Sequence, residues 1–317
     1  MKKRLIAFAC FLLVPLYCLP QLPVRLNERP VALNTSTGTL KGKLVTPNQE
    51  SGYPVVLMIA GSGPTDMEVL PGKNNSLKYL AEGLAGKGIA SLRYDKRGIA
   101  SSASAGKDEY SMRFEDGIKD AQGWIDYLSN DKRISGIYVL GHSEGALVGM
   151  VTSVDNSKVK GYISVAGAGR PAYEIVEEQM AGQPEVIRDM VKSINTSLKE
   201  GKLVPDVPIG LQALFRSSVQ PYMISWYTYN PQEIIKKLKK PVLILQGDKD
   251  IQVSVKDAEL LRQAQPSADY YLIRNMNHLM KTCHTMDQQK QMATYTDPAL
   301  PLHKDVMILI EKFVSKP

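Results

Sequence analysis

The sequence predicts an α/β protein: a mostly parallel central sheet flanked by helices, interrupted by one helical insertion. Three observations carry this expectation. Apolar runs that end in glycine, such as "YPVVLMIAG", alternate with stretches of helical spacing from about residue 53 onward. The connections between them are short, which for parallel strands implies right-handed strand–helix–strand units. One stretch, at about residues 170–240, breaks the rhythm with helical periodicity and no convincing strand.

Taken in order, the segment from about Val31 to Thr46 is polar-alternating and contains glycine, as an antiparallel hairpin requires. "YPVVLMIAG" then reads as a strand buried on both faces. "SLKYLAEGLAGKG" follows as a helix with Leu77, Leu80, Ala81 and Leu84 on one face, stopped by Gly88. "IASLRYD" is a strand. "SMRFEDGIKDAQGWIDYLSN" is a helix whose apolar face is Phe114, Ile118, Ala121, Ile125 and Leu128. "ISGIYVLGH" (strand), "SEGALVGMVTSV" (helix) and "VKGYISVAG" (strand) continue the alternation. The insertion comes next, broken at Pro184, Pro205, Pro208 and Pro231, and too apolar for a disordered linker. "KPVLILQGD" and "ADYYLIRN" are the last strands, separated by the helix "SVKDAELLRQAQ". "LHKDVMILIEKFVS" closes the chain as a helix.

The 317 residues suffice for one large domain, read as residues 30–317, and are marginal for two. The net charge of +7 includes Lys2, Lys3 and Arg4, and the other basic residues are scattered. No basic stripe with interleaved aromatics is present, so nucleic acid is not an expected partner. A basic start followed by an apolar stretch from Leu5 to about Leu19 reads as a signal peptide over residues 1–20 and predicts export. An uncleaved membrane anchor is the alternative, disfavoured by Pro15 and the short apolar length. Tyr17 before Cys18 argues against a lipoprotein site. Cys10 and Cys18 lie in this leader, so the mature chain keeps one cysteine, Cys283, which permits no internal disulfide and argues against a structural zinc site. No metal or cofactor is expected.

The chemistry centres on Gly141-His142-Ser143-Glu144-Gly145, a G-x-S-x-G motif that leaves a strand and opens a helix. That context puts the Ser143 hydroxyl on a strained turn above the sheet edge, with helix N–H groups behind it. A serine needs a base. Of the four histidines, His278 in "IRNMNHLM" follows the last core strand, whereas His142 is expected to pack beside the site. The histidine needs an acid, and the turn after "VLILQ" offers Asp248 and Asp250. Asp250 is favoured by its place at the turn's end, before the apolar Ile251 and Val253. Asp248 is expected to shape the turn through its own backbone. Oxyanion donors are expected from the backbone N–H of Glu144 and of Ser62 in the loop "GSGP".

"IAGSGPTD", "KNNSLKYLAEGLAGKGIASLRYDKRG", "GHSEG", "SVQPYMISWYTYNP", "PVLILQGDKDIQVSV" and "MNHLMK" together resemble a bacterial α/β-hydrolase family of esterases and serine aminopeptidase-like (S33-type) hydrolases. The resemblance runs from about Gly38 to the C-terminus. It implies a cap over the site and the triad Ser143, Asp250 and His278, in the order the α/β-hydrolase fold uses. Relatives often continue "GSGPTD" with arginine, an acidic residue and glycine, where this chain has Met67, Glu68 and Val69. They often read "RGIG" where Ala100 ends "RGIA" here. Asp95 and Arg97 of "YDKRG" are expected to tie loops together near the site.

The expected activity is cofactor-free hydrolysis of a small-molecule carboxylic ester. His142, Met180, Tyr222, Met223, Trp226, Tyr227 and Tyr229 are candidate pocket residues, although each aromatic could equally pack the insertion onto the core. An aminopeptidase-like or thioester hydrolase with the same triad is the alternative. An aminopeptidase needs an anionic group for the substrate ammonium, for which Glu174, Glu177 and Glu178 are candidates, or else merely a solvated helix face. A non-catalytic binding module is a third reading, against which a full triad argues. The sequence leaves the natural substrate and the oligomeric state open.

Overall fold

A computed structural model describes residues 26–68, 74–106 and 108–316. The leader at residues 1–20, with Cys10 and Cys18, and Val69 lie outside the described residues. The chain opens with β1 (Asn27–Thr35), β2 (Gly38–Thr46), β3 (Tyr53–Ile59), α1 (Ser76–Ala85), β4 (Ala90–Tyr94), α2 (Phe114–Ser129), β5 (Ile134–His142), α3 (Glu144–Ser153) and β6 (Val159–Val165). Five helices follow: α4 (Ala172–Gln179), α5 (Glu185–Lys199), α6 (Gln212–Phe215), α7 (Gln220–Tyr227) and α8 (Pro231–Ile235). The chain then returns to the sheet with β7 (Val242–Gly247), α9 (Val255–Ala264), β8 (Asp269–Ile273), α10 (Gln288–Tyr295) and α11 (Lys304–Val314).

The eight strands form one sheet in the order β1-β2-β4-β3-β5-β6-β7-β8. The β1–β2 and β2–β4 pairs are antiparallel, and every pair from β4–β3 to β7–β8 is parallel. β3 shows why its residues form a central strand. Val55, Leu57 and Ile59 face one core, Val56 and Met58 the other, and all five are buried. α3 is buried on nearly every side, from Glu144 through Met150, which explains its uniformly apolar sequence.

The helices between β6 and β7 have a small core of their own, with Val191, Ile194, Leu198, Leu211, Phe215, Met223 and Tyr227 buried together. They dock on α2 through Phe114, whose ring stacks on Trp226 at 5.9 Å and meets Tyr229 at 5.0 Å and Tyr222 at 6.1 Å. Such ring pairs add roughly 0.5–1.5 kcal/mol each beyond their buried area.

The break expected at Pro184 is present: α4 ends at Gln179 and Pro184 caps α5. Two local expectations change. The helix expected from Ser111 begins at Phe114, because Glu109–Ser111 forms a separate 3₁₀ turn and Arg113 is extended. α10 was not expected at all. It lies in an excursion between β8 and α11 that packs over the loops carrying Asp250 and His278.

Candidate active site

Ser143 sits between the last residue of β5 and the first of α3, with φ 56° and ψ −122°. Non-glycine residues rarely hold that conformation, and it costs on the order of 1–3 kcal/mol unless the surroundings enforce it. The surroundings do. A Cβ on Gly141 would lie 2.0 Å from the Gly145 carbonyl oxygen, and one on Gly145 would lie 2.4 Å and 2.5 Å from those of Ile59 and Ala60. The two glycines let α3 cross tightly over β3 and β5. The Ser143 N–H donates to Val165 O at 2.9 Å, fixing the elbow to β6.

Asp250 ends the turn after β7. Its Oδ1 accepts the N–H groups of Gln252 at 2.8 Å and Val253 at 3.0 Å. Its Oδ2 accepts Gln246 Nε2 at 3.1 Å and His278 Nδ1 at 2.8 Å. Burial alone would raise its pKa. The neighbouring His278 and these hydrogen bonds outweigh burial and hold the carboxyl below its ordinary value. Asp248 does not act only within its own turn. Its Oδ1 accepts Asn275 N–H at 2.6 Å, joining the turn to the loop that carries His278.

His278 is buried in the loop after β8. The Asn277 side chain shapes that loop, accepting the N–H groups of Leu279 and Lys281 and donating to Thr294 of α10. Gln291 of α10 donates to Lys249 O at 2.6 Å, and the Tyr295 hydroxyl accepts from Gln252 at 3.0 Å. The α10 excursion therefore clamps the acid and histidine loops together.

His142 links this loop to the elbow. Its Nε2–H donates to the His278 carbonyl at 2.8 Å, and the two rings lie 4.8 Å apart between centroids. Burial and then the neighbouring His278 push its pKa down to about 4, so it is neutral at pH 7. The Ser143 hydroxyl itself makes no hydrogen bond among the described residues.

The loop expected to carry the second oxyanion donor runs against the elbow. A Cβ on Gly61 would lie 3.1 Å from Ser143 Cβ. Ser62 follows on the exposed part of this loop, and the Thr65 hydroxyl donates to Gly61 O. Glu144 opens α3, where the first N–H groups have no partner within the helix. Asp95 ties the stretch after this loop to the next, accepting the N–H of Met67 at 2.8 Å and of Ser101 at 2.9 Å. Arg97 binds Asp120 and Ala105 O. Ala100 takes φ 44°, a conformation easy only for the glycine that relatives often have there.

A cavity of about 390 Å³ adjoins the elbow, lined by Ile59, Ala60, Gly63, Pro64 and Glu144 from the core and by Arg216, Val219 and Tyr222 from the insertion. The Glu144 carboxylate takes part here, accepting Lys96 Nζ at 2.9 Å. Burial and then the facing Glu144 carboxylate push the Tyr222 phenol well above its ordinary pKa. Of the candidate pocket residues only Tyr222 lines this cavity. Met180, Met223 and Tyr227 pack within the insertion's own core, Trp226 and Tyr229 pack on Phe114, and His142 is a strut beneath the histidine loop. Glu177 bonds Asn195, Glu178 pairs with Arg170, and neither these nor Glu174 line the cavity. His284 is exposed, His303 caps α11 and Cys283 is buried and unbridged. Lys96, Gln246, Asn277 and the α10 residues were missed, because nothing in their local sequence marks which loop each will reach.

No helix among the described residues is long and apolar enough to cross a membrane. Comparison with known proteins matches residues 73–234 to the family described as serine aminopeptidase, S33. Esterase EstD of Thermotoga maritima is 30% identical over 268 residues, which cover 81% of this chain and 61% of the relative. The chain thus spans about three fifths of the length of that curated relative. Among solved structures, Est1E from Butyrivibrio proteoclasticus aligns over 90% of this chain and 99% of its own, with 18% identity and a TM-score of 0.61. The Pyrococcus furiosus esterase Pf2001 aligns over 92% and 93%, with 14% identity and a TM-score of 0.57. The fold is the α/β-hydrolase fold.

Proposed function

The chain belongs to the serine aminopeptidase, S33, family, and we propose that within it this chain is a serine hydrolase cleaving carboxylic ester bonds on a triad of Ser143, His278 and Asp250. The observation that carries the reading is the buried pair of His278 Nδ1 and Asp250 Oδ2 at 2.8 Å, on a loop that His142 ties to a serine held at φ 56°. His278 Nε2 takes the Ser143 proton as Oγ attacks the ester carbonyl. The N–H groups of Glu144 and Ser62 stabilise the oxyanion. The proton passes to the leaving alcohol, leaving an acyl-enzyme. Water, deprotonated by His278, attacks the acyl carbon, and the proton returns to Ser143 as the acid departs. Asp250 stays ionised and holds the imidazole in the tautomer that leaves Nε2 free. The helices between β6 and β7 act as a cap that closes the cavity, and the leader at residues 1–20 exports the chain.

The family's description favours a second reading, hydrolysis of an N-terminal peptide bond. That reaction needs an unpaired carboxylate for the substrate ammonium. The three carboxylates lining the cavity, Glu109, Asp120 and Glu144, are each bound to a cation, which supports the ester reading. The test is turnover of p-nitrophenyl esters, an aminoacyl-naphthylamide and an acyl-CoA, with fluorophosphonate labelling. Ester turnover, with labelling lost in Ser143→Ala, is expected. Turnover of the aminoacyl substrate alone, or labelling that survives the substitution, refutes the proposal.

A further inference from the structure

The cavity beside Ser143 carries more charge than a plain acyl chain requires. Four cations line it, Lys96, Arg97, Arg113 and Arg216, against the carboxylates of Glu109, Asp120 and Glu144. Each carboxylate is already engaged: Glu144 by Lys96 at 2.9 Å, Asp120 by Arg97, and Glu109 by Arg216 Nε at 2.8 Å. Among the described lining residues, Arg113 is the cation left without a carboxylate. Its Nη1 donates instead to the carbonyls of Tyr110 at 2.8 Å and Met112 at 2.9 Å. Those neutral acceptors orient the guanidinium of this solvent-exposed residue without pairing its charge. Its Nε and Nη2 have no acceptor among the described residues. Arg113 also precedes α2, a 16-residue helix whose first turn already holds Glu115 and Asp116, the latter accepting the Arg113 N–H at 2.9 Å. The remaining wall is largely apolar, including Ile59, Ala60, Tyr94, Val148 and Val219.

Resting on the ester-hydrolase reading, the geometry points to esters that carry a second, ionised carboxylate, recognised by Arg113 across the apolar cavity. A guanidinium with its Nε–Nη2 edge free suits a carboxylate, and its charge draws the anion toward the cavity. The carboxylate could sit on the acyl side, as in a dicarboxylic acid monoester, or on the alcohol side, and the assay separates the two.

The full chain is assayed at low ionic strength with two matched pairs: mono-p-nitrophenyl adipate against p-nitrophenyl hexanoate, and 4-carboxyphenyl hexanoate against phenyl hexanoate. In one pair kcat/KM for the acidic ester is expected to exceed the neutral one by about tenfold, the size of a partly exposed charge-assisted contact. The ratio falls as salt is raised. In Arg113→Gln it collapses toward one through KM, and Arg113→Lys restores part of it. Equal rates within both pairs, or a preference that survives Arg113→Gln, overturn the proposal. If no ester is turned over, the ester reading fails by itself, and the anion site is read by calorimetry of monomethyl adipate with Ser143→Ala. Binding abolished by adding Arg113→Gln supports the site, and no binding, or binding that persists, overturns it.

Discussion

Replacing Asp250 by asparagine exchanges one oxygen for an amide and is expected to remove nearly all activity from a protein that still folds. The two oxygens of Asp250 are not equivalent. Oδ1 accepts two backbone N–H groups, so the asparagine oxygen must stay there. The amide nitrogen then takes the place of Oδ2 and points N–H at both Gln246 Nε2 and His278 Nδ1. Gln246 cannot turn over cheaply, because its Nε2 also donates to Val253 O at 3.0 Å and Gly247 O at 3.3 Å. His278 must instead accept at Nδ1 and carry its proton on Nε2, the tautomer that cannot take the Ser143 proton. Loss of the correct tautomer is worth about ten-thousand-fold in kcat, or about 5 kcal/mol. The lost charge-assisted hydrogen bonds destabilise the fold by about 1.5–3 kcal/mol, so Tm falls without unfolding at 25 °C. The assay is p-nitrophenyl ester hydrolysis beside a circular-dichroism melt. Asp248→Asn, which keeps an acceptor for Asn275 N–H, stays within about threefold of wild type. A folded Asp250→Asn within about tenfold of wild type would refute the assignment.

Gly145→Ala drives a Cβ into the backbone of β3, where no side chain can yield. It is expected to destabilise by about 3 kcal/mol or more in urea unfolding. Gly182→Ala, with nothing within 4 Å, is the matched control and moves stability by under about 0.5 kcal/mol. Ala100→Gly relieves the left-handed backbone at φ 44°, worth about 1–2 kcal/mol, against about 0.5–1 kcal/mol of added chain entropy. A small rise in Tm is expected, and a clear fall contradicts the strain. His142 has a folded pKa of about 4 against an unfolded value near 6.5, so the unfolded chain binds its proton first as pH drops. Stability is therefore lost between those two values, by about 2 kcal/mol from pH 7.5 to 5. His142→Gln, which keeps a side-chain donor, should remove that part of the urea-midpoint shift, and an unchanged pH dependence argues against a neutral buried histidine. Asp250, whose pKa is lowered, adds stability that disappears only further down, as pH falls below the ordinary carboxylate range.

The elements and the tight turn at Ser143 were legible because their causes are local. An apolar run such as Val55 to Ile59 can only be buried on both faces, and a serine between Gly141 and Gly145 permits a crossing that any Cβ would block. The preference for Asp250 over Asp248 came from its place at the turn's end, and its Oδ2 does face His278. The cavity was not legible. Tyr222 and Tyr227 lie on one short helix, yet only Tyr222 faces the cavity. Which face turns inward depends on Phe114, more than a hundred residues earlier.

The sequence by itself determined the sheet, the order of serine, aspartate and histidine, and the turns that present them. Periodicity and backbone sterics act over a few residues. Tertiary structure alone decided that His142 supports the histidine loop 136 residues away, that the Glu144 carboxylate pairs with Lys96, and that the Arg113 guanidinium meets backbone carbonyls at the cavity rather than a carboxylate. Those outcomes depend on which distant loops meet, and a charge has no preferred partner until folding removes the water between them.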